Sequence, residues 1–71
     1  MNDIKLKKIQ SYLNTLFGTE HFVVKKRKNI EDSLEIYMKD EFLGLIYEEI
    51  DENEKAYQFH MTILDEDLKN E

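Results

Sequence analysis

His60 is the one titratable candidate for acid–base work that periodicity places inside a strand, and a cross-strand carboxylate such as Glu35 would make it half of an acid–base pair. Such a pair also needs a pocket and a perturbed pKa, and nothing in the spacing supplies either, so His60 reads as an exposed strand histidine. His21 follows Gly18 closely and reads as a loop residue. The run Asp51-Glu52-Asn53-Glu54 alternates oxygen ligands of the kind hard cations take, yet it lacks the glycine and the distal bidentate glutamate of a calcium loop. It reads as a solvated acidic loop, and so does Asp65-Glu66-Asp67. Lys25-Lys26-Arg27-Lys28 could meet phosphate, with Phe22, Tyr37 and Phe42 as stacking partners. Against this stands a net charge of −6, from 16 acidic and 10 basic side chains. A strand end that discourages edge pairing is the plainer use of four cations.

The remaining chemistry is excluded by what the chain lacks. There is no cysteine, hence no disulfide, thiolate nucleophile or sulfur-bound zinc. Only Gly18 and Gly44 are present, too few for a phosphate-cradling loop, and no Ser-His-Asp spacing stands out. Neither an enzyme nor a cofactor is expected. The lysines at 5, 7 and 8 precede alternating polar and apolar residues instead of an apolar run, so the N-terminus does not read as a signal peptide. No stretch approaches the roughly 20 apolar residues of a membrane span. The expectation is a soluble cytoplasmic protein with no membrane partner.

The elements that must position these residues are legible in the periodicity. Leu6, Ile9, Leu13 and Leu16 recur at steps of three and four, flanked by Tyr12 and Phe17, which predicts one amphipathic helix from Asp3 to Phe17. Asn2 or Asp3 can cap its start and Gly18 its end. Strands are expected at Phe22–Val24, running on into the basic stretch, at Ser33–Met38, at Phe42–Tyr47 and at Tyr57–Leu64. Asn29–Asp32 reads as a connecting loop, Glu48–Lys55 as a mobile acidic loop and residues 65–71 as a frayed tail. The chain is short enough for one core only, so residues 1–71 are expected to form a single α+β domain, an N-terminal helix packed on one face of a four-stranded, mainly antiparallel meander (α-β-β-β-β).

A two-residue turn at Lys39-Asp40 sets the register. It opposes Met38 to Glu41, Ile36 to Leu43 and Leu34 to Leu45. The core face is then Val24, Leu34, Ile36, Met38, Leu43, Leu45, Tyr47, Tyr57, Phe59, Met61 and Ile63. The opposite face carries Val23, Glu35, Gly44, Gln58 and Thr62 together with Tyr37, Phe42, Ile46, His60 and Leu64, too apolar for a fully solvated surface. Those last five residues are the candidate interaction face.

Three segments carry a resemblance. Tyr12-Leu13 with Phe17-Gly18, then Asp40-Glu41-Phe42-Leu43-Gly44, then the run from Tyr57 to Asp65 are similar to a family of short proteobacterial proteins classed as a domain of unknown function. The likeness spans nearly the whole chain and implies no activity, substrate or catalytic residue. Members of that family usually have glycine where Lys39 stands and tend to have glutamine where His60 stands. The function expected from all this is a small protein-interaction module that self-associates or binds a larger protein through the open sheet face. A small-ligand or catalytic site near His60, and nucleic-acid contact through residues 25–28, are the alternatives.

Charge is also segregated along the chain. Residues 1–28 hold seven Lys/Arg against two carboxylates, and residues 29–71 hold three against fourteen. Either the two ends compensate one another within the fold, or they form a dipolar surface that orients a partner.

Overall fold

The computed structural model describes residues 1–69. Its elements are α1 (Asp3–Phe17), β1 (Phe22–Arg27), β2 (Ile30–Met38), β3 (Glu41–Asp51), β4 (Glu54–Met61) and a short 3-10 helix, Asp65–Lys69. The strands form one antiparallel sheet in the order β1-β2-β3-β4, with α1 against it. This is the α-β-β-β-β arrangement the periodicity implies.

Both ends of α1 close as their residue types dictate. The Asn2 side chain accepts from the Lys5 amide at 2.8 Å, and Gly18 takes the left-handed conformation at φ 65° while its N–H reaches the Asn14 and Thr15 carbonyls. The helix is then tied to the edge strand β1 by two side-chain amides. Asn14 accepts from the Phe22 N–H at 2.8 Å and donates to the Phe22 carbonyl, while Gln10 accepts from the Val24 N–H at 2.9 Å. These bonds occupy main-chain groups that an edge strand otherwise leaves unpaired. They also hold α1 over the β1 side of the sheet. Ile9 and Leu13 enter a core made with Phe22, Val24, Leu34, Ile36 and Ile46.

Several boundaries differ from those the sequence implies. Asn29–Asp32 is not a loop: β2 starts at Ile30, and the register shifts by several residues between Lys26 and Arg27, leaving Ser33 buried with the Arg27 guanidinium donating to its hydroxyl at 2.9 Å. Glu48–Lys55 is not a loop either, because β3 and β4 continue as a ribbon to a tight turn at Glu52-Asn53, both with positive φ. Pairing between β2 and β3 stops at Ser33–Tyr47, so among the described residues Glu48–Asp51 have only Glu54–Tyr57 as strand partners. We call this projecting ribbon the arm. The fourth strand ends at Met61 instead of Leu64. In the segment expected to fray, residues 65–69 make a 3-10 turn in which Asp67 caps the Leu64 amide at 3.0 Å; residues 70 and 71 lie outside the described residues.

Candidate interaction surface

The turn at Lys39-Asp40 has the expected two residues, both with positive φ, and it opposes Met38 to Glu41 and Tyr37 to Phe42. The register then shifts. Ile36 pairs with Gly44, Glu35 with Leu45 and Leu34 with Ile46, leaving Leu43 as the extra residue of a β-bulge. A bulge moves every later side chain of its strand to the other face. Ile46, expected on the open face, is therefore in the core at 4% exposure, while Leu45 and Tyr47, expected in the core, lie on the opposite face. Gly44 explains the position of the bulge. A Cβ there would sit 2.0 Å from the His60 carbonyl oxygen, so only glycine admits β4 this close. That glycine inside a strand is the signal from which the bulge could have been read.

The face away from the helix presents Lys25, Glu35, Tyr37, Phe42, Leu45, Tyr47, Gln58 and His60. Tyr37 and Phe42 meet edge-on with ring centroids 5.6 Å apart, as the register places them. Polar contacts run through this surface. Lys25 Nζ lies 4.6 Å from the Tyr37 ring centroid, the Tyr37 hydroxyl donates to Glu35 at 3.0 Å, and Gln58 donates to Glu49 at 2.8 Å. The bond to Glu35 holds the Tyr37 phenol above its ordinary value of 10.0, since an ionised phenol could not donate it. His60 packs edge-on against Tyr47 and shares a 3.3 Å contact with Gln58. Leu45 stands between His60 and Glu35, so the two form no pair. Leu64 lies beyond the end of β4 and is exposed.

Three of the four cations of the basic stretch are engaged within the chain. Besides Lys25 on Tyr37 and Arg27 on Ser33, Lys26 forms a 2.8 Å ion pair with Asp3, and that cation holds the Asp3 carboxyl below its ordinary range. In the acidic runs, no group of three or more His, Cys, Asp or Glu among the described residues is placed to hold a metal ion. No helix of the described residues is long and apolar enough to cross a membrane.

A second surface, on the helix side, is one the periodicity did not single out. Because Gln10 and Asn14 anchor α1 to β1, the helix leaves the β3–β4 half of its own face uncovered. A groove of about 460 Å³ runs there, floored by Ile46, Tyr57 and Phe59, walled by Tyr12, Leu16 and Phe17 of α1, and rimmed by Lys5 and Lys8. Tyr12 is 65% exposed and Leu16 61%, although both belong to the helix's apolar side. Lys5 Nζ lies over the Tyr57 ring at 5.5 Å, and the buried Tyr57 hydroxyl has no hydrogen-bond partner among the described residues. The Leu16 signal was in the helical stripe, but the stripe could not say that its sheet partner would lie to one side.

A family model described as protein of unknown function (DUF3126) matches residues 5–67. The chain belongs to that family. The DUF3126 match begins in the first turn of α1 and ends inside the 3-10 helix, so it takes in the groove, the bulge and the arm together. No curated protein and no solved structure matches the chain at significance.

Proposed function

We propose that this DUF3126 chain is a non-catalytic protein-interaction module whose docking surface is the helix-side groove. What supports the reading is the position of α1: one helix bound to an edge strand shields half of a four-stranded sheet and leaves Tyr12, Leu16, Tyr57 and Phe59 around an apolar cleft. Apolar area left in water is unfavourable by roughly 25 cal/mol per Å², which a protein partner recovers. On the opposite face the apolar surface is interleaved with polar groups, with Lys25 and Glu35 on Tyr37 and His60 on Tyr47. The lack of cysteine fits a reducing cytoplasmic setting.

A photo-crosslinking amino acid placed at Leu16 in living cells tests this reading, with Val23 on the other face as the control. Discrete protein adducts from position 16, at most weak ones from position 23, are expected. Adducts from neither position, or from position 23 alone, would overturn the assignment.

A further inference from the structure

We infer that the occupant of the groove is the arm of a second copy, so that two chains pair about a two-fold axis with each arm lying in the other's groove. The inference rests on the proposed docking surface and names its partner. Three observations lead to it.

The first is area. The molecule exposes 5897 Å², whereas a compact monomer of this mass exposes roughly 4,700 Å². Its radius of gyration is 13.3 Å and its extents are 44 × 24 × 23 Å, against a radius of about 11 Å for a compact chain of this length. The excess of roughly 1,200 Å² is enough to supply one side of a standard interface, about 800 Å² per partner.

The second is the arm itself. A two-stranded ribbon with water on both faces is marginal alone. This one carries Ile50 at 65% exposure on the helix-facing side, in step with Ile46 of the groove floor. That side chain lies beyond the last β2 pairing, outside the buried core of the described residues.

The third is charge. The arm holds Glu48, Glu49, Asp51, Glu52 and Glu54 against Lys55, which pairs with Glu48 at 3.6 Å on the face that carries Ile50, while Glu49, Asp51 and Glu54 lie on the other face; the arm as a whole is negative, and the groove is rimmed by Lys5 and Lys8. Lys5 over Tyr57 marks where the arm leaves the body, at the N-terminal end of α1. A two-fold axis through that point sends the two arms in opposite directions, each along the partner's helix. Ile50 of one copy then meets Tyr12 and Leu16 of the other, and Glu48, on the same face as Ile50, and Glu52 at the turn are the carboxylates brought toward the partner's Lys5 and Lys8. Opposite charges on one chain become complementary across a self-pairing surface.

Sedimentation velocity from about 1 to about 200 µM reads the outcome directly. Wild type is expected to reach twice the chain mass, and Ile50→Glu to stay at the single mass with an unchanged circular-dichroism spectrum. The decisive pair is Lys5→Glu/Lys8→Glu and Glu48→Lys/Glu52→Lys. Each alone should weaken pairing at least about tenfold, and an equimolar mixture should restore it, because both arm–groove contacts then join opposite charges. Wild type at the single mass throughout, a dimer indifferent to Ile50→Glu, or a mixture that stays apart would each overturn the arm-exchange dimer. If wild type is monomeric while position 16 still crosslinks to other proteins, only the second copy falls. Absence of both removes the interaction reading as well.

Discussion

At Gly44 one hydrogen atom in place of a side chain decides where half the sheet points. Adding a methyl group would force β4 away at the His60 carbonyl, so Gly44→Ala should destabilise the fold by about 1–3 kcal/mol in urea denaturation. Lys39 is a milder case: it holds φ at 51° in a tight turn, a region that costs a non-glycine residue roughly 1–2 kcal/mol. Lys39→Gly should raise stability by about 0.5–1 kcal/mol, the relief being offset in part by the added freedom of the unfolded chain. Tyr37 offers a check by titration. Its folded value lies above 10.0, chiefly because the phenol donates to Glu35. A raised value means the contact contributes below pH 10 and is lost as pH climbs through the folded value. In ultraviolet or NMR titration, Glu35→Gln should bring the Tyr37 transition down. Alternation predicted the placement of Tyr37, Phe42 and His60 correctly as far as their shared face. It misplaced Ile46, Leu45 and Tyr47, because a period-two pattern makes no allowance for an inserted residue.

Among the elements, α1 and its caps were the most legible, since Asn2, Gly18 and the Leu6–Leu16 stripe each act within a few residues of themselves. Where the helix would sit was not, because that depends on Gln10 and Asn14 finding main-chain amides on β1, contacts that no periodicity encodes. These two side chains each satisfy a partly buried donor. Replacing either with alanine should cost about 1–2 kcal/mol and speed amide exchange at Phe22 or Val24, read by NMR. The arm escaped notice for a related reason. Its acidic residues suggest solvent and mobility, and only the paired positive φ of Glu52-Asn53 reveals that they flank a hairpin turn.

For the whole molecule, pairing of copies would couple stability to concentration. If two chains associate, the melting temperature should rise with each tenfold increase in protein, and Ile50→Glu should abolish that rise while leaving the dilute-limit melt unchanged; differential scanning calorimetry over two decades of concentration measures both. The meander has a further consequence, for kinetics. Each strand pairs with its sequence neighbour, and the helix lies beside the strand that follows it. Every strand pairing therefore joins segments separated by a short turn, and the loop entropy that slows sheets with distant pairings is small at each of those steps. The sheet can zip strand by strand, while burial of Ile9 and Leu13 is completed only when β2 and β3 are in place. Folding should accordingly run on the fast side for a chain that is mostly strand, with the arm, the ribbon least supported by the body, completing last.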